Sequence, residues 1–83
     1  MSDRVLDTSF QRARGVIGRY PDDDERFILR YASVDERGVH MVGVPRPLRV
    51  TWVADGEITR EEVLEPWTGT ASAKADEIIE ERP

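Results

Sequence analysis

Apolar and polar residues alternate along much of the chain, and this period of two predicts short β-strands. The clearest run is residues 26–31, in which every second side chain is Phe, Leu or Tyr. Further strands are predicted over residues 39–44, 48–54, 57–64 and 77–81. Residues 35–38 (Asp-Glu-Arg-Gly) are typical of a turn, and residues 71–76 of a loop or one helical turn.

An Asp-Gly pair at residues 55–56 separates two of these predicted strands. Asp-Gly between alternating runs predicts a β-hairpin with a two-residue type I′ turn. That turn fixes the pairing of the strands and places Val53 opposite Ile58. It also places Arg49 opposite Glu62, which predicts a cross-strand ion pair worth about 0.5 kcal/mol at a surface.

A helical pattern precedes the strands. Residues 8–11 (Thr-Ser-Phe-Gln) fit a capping box, and Gly18 suits the left-handed position that ends a helix. Four apolar residues share one helical face between these signals: Phe10, Ala13, Val16 and Ile17. We therefore expect a mainly β (α+β) fold, a small antiparallel β-sandwich or open barrel of about five short strands with one N-terminal helix.

The length of 83 residues indicates one domain, residues 1–83, with a thin core and flexible ends at residues 1–5 and 82–83. The chain has no cysteine and one histidine, which argues against disulfides and most metal sites, and we expect no cofactor. No apolar run approaches the ~20 residues that span a bilayer. The first residues also lack a signal-peptide pattern, so the sequence predicts a cytoplasmic protein.

Charge adds an expectation about the source of the protein. The net charge is -5, and Lys74 is the one lysine among twelve basic residues. An acidic, lysine-poor surface fits a high-salt cytoplasm, in which screening weakens self-repulsion. An ordinary acidic protein from a GC-rich genome would show the same bias. The negative charge and the lack of a basic, aromatic platform argue against nucleic-acid binding.

Several segments, in order, resemble the family called domain of unknown function 192. They are residues 12–19 (RARGVIGR), 39–41 (VHM), 47–52 (PLRVTW), 55–58 (DGEI), 66–69 (PWTG) and 75–80 (ADEIIE). The resemblance runs from about Leu6 to Arg82, and haloarchaeal members are the most similar. It implies a β-sandwich-like fold with an N-terminal helix and supplies no reaction, substrate or catalytic residue. Arg49 departs from the family pattern, which has Asp there, and Arg46 stands where relatives often have Phe.

Three residues have candidate chemistry, and for two of them a structural interpretation is favoured. Histidine is the side chain whose ordinary pKa lies near neutrality, so His40 is the obvious proton-transfer candidate, although a hydrogen-bonded strand histidine is the favoured interpretation. Trp52 and Trp67 could line a ligand pocket. For Trp67, the favoured interpretation is a plug at the open end of the β-structure, with the indole N–H bonded to backbone.

Arginines offer a second candidate, an anion-binding patch. It would combine the following residues: Arg12, Arg14, Arg19, Arg46 and Arg49. The favoured alternative is a solvated helix face paired with the acids of residues 22–25. Those four acids lack the spacing of a calcium loop, and we expect no metal site there.

The sequence contains no catalytic triad, phosphate loop or clustered acid–base pair. It therefore favours a non-enzymatic binding or interaction domain with a protein or small-molecule partner, and no membrane partner. The alternative is a small-ligand-binding or enzymatic β-sandwich whose pocket is built from four residues: Arg14, His40, Trp52 and Trp67. We expect a monomer, or a weak homodimer formed through an exposed strand edge.

Overall fold

The computed structural model describes residues 2–6 and 20–83, which form a single five-stranded sheet. The strands are β1 (Ser2–Leu6), β2 (Glu25–His40), β3 (Leu48–Ala54), β4 (Glu57–Leu64) and β5 (Thr70–Glu81). Their order across the sheet is β1-β2-β5-β3-β4. β1 pairs in parallel with β2, whereas the other neighbours are antiparallel. The strand β5 therefore lies at the centre, between β2 and β3.

The two longest strands, β2 and β5, bend together. Their pairing is regular up to Arg30–Glu77 and resumes at Asp35–Ala75, so four residues of β2 lie opposite one residue of β5. Beyond this irregularity, the two strands turn over the face of the β3–β4 hairpin. The indole Nε1 of Trp52 donates to the carbonyl of Arg37 at 2.9 Å. One sheet thus encloses the core by folding over itself.

The face enclosed by this bend, which we call the inner face, carries the core. Side chains alternate along each strand, and most of those that point inward are apolar. The buried core residues are Phe27, Leu29, Met41, Val44, Leu48, Val50, Trp52, Leu64, Ala75 and Ile78. Tyr20 and Tyr31 pack against them and are partly buried.

The mainly β fold class is confirmed. The strands form one sheet, so the two-sheet sandwich of the prediction is not what the described residues show. The predicted helix over residues 8–18 lies outside the described residues. The strand β1, which pairs with β2 from Ser2–Glu25 to Leu6–Leu29, was not predicted.

The predicted turn at residues 35–38 is wrong, because β2 continues through it. Residues 35–40 pair with residues 70–75 of β5, and this ladder satisfies backbone groups that a local turn would leave to solvent. The expected loop at residues 71–76 is likewise part of a strand. The strand predicted over residues 39–44 is too long. β2 ends at His40, because a turn begins at Met41.

The predicted hairpin turn is confirmed, whereas the predicted pairing of the two strands needs correction. Asp55 and Gly56 have φ angles of 51° and 82°, the positive values that a type I′ turn requires. Val53 pairs with Ile58, as predicted. A bulge between Trp52 and Val53 then shifts the remaining pairs by one residue.

This shift removes the predicted ion pair between Arg49 and Glu62. Arg49 lies opposite Val63, and Glu62 instead accepts from Arg60 at 2.8 Å. The extra residue is Thr59, whose hydroxyl lies 2.6 Å from the carbonyl oxygen of Lys74. This contact links β4 to β5.

Candidate functional site

Two loops meet at one end of the sheet and expose large apolar side chains there. The β2–β3 loop spans residues 41–47, and the β4–β5 loop spans residues 65–69. The backbone N–H of Met41 donates to Gly69 at 2.9 Å, and that of Trp67 donates to Val44 at 3.1 Å. The loops are therefore fixed to each other through backbone hydrogen bonds.

The β2–β3 loop opens with a tight turn. The N–H of Val44 donates to the carbonyl of Met41 at 2.9 Å, and Gly43 has a φ of 86°. A positive φ at the third position is typical of a type II turn, which favours glycine. Met41 and Val44 are buried and anchor the turn, whereas Val42 at its tip is 65% exposed.

The β4–β5 loop holds Trp67 in an unusual conformation. The φ of Trp67 is 65°, in the left-handed region, which costs a bulky side chain about 1–3 kcal/mol. The N–H of Gly69 donates to the carbonyl of Glu65 at 3.0 Å, and that of Thr68 donates to Pro66 at 2.7 Å. These bonds close the loop around Trp67.

Only glycine fits at residue 69. A Cβ atom there would lie 2.6 Å from the carbonyl oxygen of Glu65 and 2.7 Å from its nitrogen. Those contacts are with backbone, so they could not be relieved by moving a side chain. The loop thus depends on Gly69, and through it the backbone presents Trp67 outward.

Trp67 is 58% exposed, so the expectation that it plugs the end of the sheet is wrong. Its backbone N–H, rather than its indole, bonds to the other loop. We call the exposed side chains of Val42 and Trp67 the Trp67 surface. An exposed indole whose backbone is held in place can bury apolar area against a partner with little loss of backbone freedom.

Of the four residues predicted to form one pocket, His40 and Trp67 lie at the same end. His40 is the last residue of β2, is exposed, and pairs with Thr70. Trp52 is fully buried in the core, where its indole bonds to Arg37 and the Arg60 guanidinium lies 5.8 Å from the ring centre. Trp52 therefore stabilises the fold. Arg14 lies outside the described residues.

Of the predicted arginine patch, Arg46 and Arg49 fall within the described residues, and Arg12, Arg14 and Arg19 do not. Arg46 lies over the ring of Tyr20, 5.7 Å from its centre, and Arg82 lies 5.2 Å from the same ring. Tyr20 donates its hydroxyl hydrogen bond to the carbonyl of Pro47. Desolvation raises the pKa of Tyr20, although the positive charges of Arg82 and Arg46 act in the opposite direction.

Glu80, the most unusual ionisable side chain in the described part of the chain, was not among the residues predicted to form a site. Glu80 lies on the inner face of β5, opposite Phe27 of β2 and Val50 of β3, and is 1% exposed. Its Oε1 atom has no hydrogen-bond partner among residues 20–83. Burial raises the pKa of Glu80 to about 7. The sequence offered one signal for its burial: Glu80 lies two residues after Ile78, and side chains two apart on a strand share a face.

A cleft of about 290 Å³ lies where β2 leaves β5. Its walls are formed by Arg30, Tyr31, Val53, Gly56, Asp76 and Glu77. An ion pair of 3.0 Å joins Arg30 and Glu77 across it. The guanidinium of Arg37 lies 4.0 Å from the centre of the Tyr31 ring. Of the predicted pocket residues that the structure describes, none (His40, Trp52 or Trp67) lines this cleft.

Within the described ranges, no three histidine or acidic side chains group as a metal ligand set. Residues 2–6 and 20–83 also include no helix with the length and hydropathy needed to cross a bilayer.

No protein-family model matches the chain, and no curated protein matches it. Its fold is similar to that of two solved crystal structures. One, with a TM-score of 0.85 and 20% identity, is a protein of unknown function from Novosphingobium aromaticivorans. The other, with a TM-score of 0.84 and 17% identity, is described as a candidate transcription regulator from Sinorhizobium meliloti.

The similarity covers 96% of this chain in both cases, and 61% and 67% of the two other chains. The chain thus spans about three fifths of the first relative and two thirds of the second. At these identities the similarity shows a shared fold and assigns no specific function.

Proposed function

We propose that this domain is a non-enzymatic protein-interaction module that binds an apolar, extended segment of a partner protein at the Trp67 surface. One observation carries the proposal: a tryptophan is held largely exposed, in a left-handed backbone conformation, by a loop that admits only glycine at residue 69. Backbone strain of this kind is concentrated at functional sites.

The chemistry of the surface favours a protein partner over a small molecule. Tryptophan is enriched among the residues that dominate binding energy at protein interfaces. Val42 lies at the tip of a turn and Trp67 in a loop, and both are largely exposed, so they suit a partner that supplies its own complementary surface. An extended peptide segment with apolar side chains meets that requirement.

The test is selection of peptides from a random display library against the intact protein. We expect the enriched peptides to carry apolar or aromatic residues and to bind the Trp67→Ala variant at least tenfold more weakly than the wild type. Ile58→Ala is the matched control, because Ile58 is 66% exposed but lies on β4. Peptides that bind Trp67→Ala and wild type equally would overturn the proposal, and so would a library that yields no binder.

Small-ligand binding in the cleft beside Arg30 and Asp76 is a second candidate, supported by its volume of about 290 Å³ and its mixed lining of charged, aromatic and apolar groups. A thermal-shift screen of metabolites at high salt tests it, since a ligand raises the melting temperature by mass action. Amide shift changes confined to the cleft residues would support it. Changes at residues 41–47 and 65–69 would instead assign the ligand to the Trp67 surface.

We also propose that the chain is a divergent relative of the domain of unknown function 192 family and works in a salt-rich cytoplasm. The segments quoted above support the first statement. The net charge of -5 and the single lysine support the second. A melting temperature that does not rise in molar salt would contradict the second.

A further inference from the structure

The cleft beside the bend of β2 is lined by two opposite charges that do not pair with each other. Arg30 and Asp76 both line it, yet no ion pair joins them among the described residues, and Arg30 instead lies 3.0 Å from Glu77. The few polar groups that converge on a pocket fix the orientation and the class of its ligand. The chemistry of these two side chains therefore indicates what the cleft can bind.

Asp76 is brought to the cleft by the irregular pairing of β2 and β5. It lies between the residues of β5 that pair with Asp35 and Arg30, and so opposite residues 31–34. Bulges of this kind re-aim side chains and are common next to functional sites. Asp76 is partly buried, and its carboxylate has no hydrogen bond or ion pair within residues 20–83. It is therefore available to a positively charged ligand group.

Arg30 keeps hydrogen-bonding capacity despite its ion pair. Its Nε donates to the carboxylate of Glu77 at 3.0 Å, and its two terminal nitrogens make no hydrogen bond within the described ranges. The side chain is 56% exposed. The end of a guanidinium presents two parallel N–H donors that match the two oxygens of a carboxylate. Arg30 can therefore bind a carboxylate of a ligand without giving up Glu77.

Arg37 holds the bend that forms the cleft. Its Nε donates to the carbonyl of Ala75 at 3.2 Å, and one terminal nitrogen donates to the carbonyl of Ser33 at 2.7 Å. These bonds join β5 to the irregular part of β2. The same guanidinium lies 4.0 Å from the centre of the ring of Tyr31, a residue that lines the cleft. The cleft is thus fixed by contacts within the protein, which lowers the entropic cost of binding a ligand.

The charges of the lining favour a ligand that carries both signs. A purely anionic ligand would face the carboxylates of Asp76 and Glu77, and a purely cationic one would face Arg30. A metal ion is disfavoured, because no three histidine or acidic side chains group as ligands in the part of the chain that the structure describes. Val53 and Tyr31 add apolar and aromatic wall. A volume of about 290 Å³ suits a small ligand.

We propose that the cleft binds a small zwitterion of the free α-amino acid type, with an apolar side chain. The ammonium group of the ligand pairs with Asp76, its carboxylate pairs with the terminal nitrogens of Arg30, and its side chain packs against Val53 and Tyr31. The inference rests on the second candidate function, ligand binding in the cleft, and names the class of ligand.

Titration of the intact protein with three probes, followed through its backbone amide resonances, tests this proposal. The probes are L-leucine, isoamylamine, which lacks the carboxylate, and isocaproate, which lacks the ammonium group. We expect L-leucine to shift the amides of the lining residues in a saturable way. Each analogue should bind about tenfold more weakly or worse, because it loses one charge-assisted hydrogen-bonded pair.

Two variants assign the two charges. L-Leucine should bind Asp76→Asn no more tightly than isocaproate binds the wild type, and should bind Arg30→Gln no more tightly than isoamylamine binds the wild type. The matched controls are Arg49→Gln and Glu81→Gln, because these two residues lie opposite each other on β3 and β5 and do not line the cleft. Both controls should bind L-leucine as the wild type does.

The comparison of the three probes needs no variant, so it holds even if a substitution prevents folding. An analogue that binds the cleft as tightly as L-leucine would overturn the zwitterion and leave ligand binding in the cleft intact. L-Leucine binding that is unchanged in Asp76→Asn and Arg30→Gln would overturn it as well. If neither the probes nor the metabolite screen perturbs the lining residues, the inference and the second candidate function fail together.

Discussion

The two tryptophans occupy regions of opposite character. Trp52 lies on the inner face of β3, has no exposed surface, and donates its indole N–H to β2. Trp67 lies in a loop, is 58% exposed, and is positioned by its backbone rather than by its ring. The same residue type thus stabilises the fold in one region and is displayed at a conformational cost in the other. The two roles are distinguished by whether the ring is buried, and the local sequence does not reveal this.

Replacement of Trp52 by alanine should have the largest effect. Removal of a fully buried indole leaves a cavity and deprives the Arg37 carbonyl of its donor, so we expect a loss of about 3–5 kcal/mol in unfolding free energy. Urea unfolding followed by circular dichroism measures it. For a domain of this size, such a loss would leave little or no folded protein at 37 °C. A loss below about 1 kcal/mol would contradict the assignment of Trp52 to the core.

Gly69→Ala tests the loop that presents Trp67. The added methyl group would meet two backbone atoms of Glu65 at 2.6 and 2.7 Å, and we expect a loss of about 2 kcal/mol together with shifted amide resonances for residues 65–69. Gly38→Ala is the matched control, because its nearest atoms would lie at 3.9 Å. The control should stay within about 0.5 kcal/mol of the wild type. Equal losses in both variants would mean that the Gly69 contacts are not what holds the loop.

Trp67→Asn should have the smallest effect on stability. Asparagine tolerates the left-handed conformation better than tryptophan, so relief of strain should offset the lost packing of the ring. We expect thermal unfolding within about 0.5 kcal/mol of the wild type, with loss of peptide binding. A destabilisation above about 2 kcal/mol would show that Trp67 is a structural residue and would remove the contrast with Trp52.

The β3–β4 hairpin could be predicted from the sequence, because an Asp-Gly pair such as Asp55-Gly56 between two alternating runs is a strong signal for a hairpin turn. Its register could not be predicted beyond the first pair. The bulge at Trp52–Val53 depends on the hydroxyl of Thr59, which bonds to a strand distant in sequence. The continuous β2 was also missed, because residues 35–38 favour a turn locally and become extended only when residues 70–75 pair with them.

Of the two residues of the Trp67 surface, Trp67 was a candidate ligand-binding residue in the sequence and Val42 was not. His40, another candidate, is exposed at the same end of the sheet. The exposure of Trp67 could not be predicted, because it results from the backbone bond to Val44 and from the space available at Gly69. Glu80 was missed for a related reason. The alternation of apolar and polar residues over 77–81 is ambiguous, because Ile78 and Ile79 are adjacent. Only the pairing of β5 with β2 and β3 decides which of the two isoleucines faces the core.

The position of β5 has a consequence for how the protein is made. It follows the other four strands in sequence, yet it lies between β2 and β3 and holds the sheet together. Until it emerges from the ribosome, β2 and the hairpin have no shared neighbour, and their apolar faces are exposed. Completion of this sheet must therefore wait for β5, and the long sequence separation of its contacts predicts slow folding.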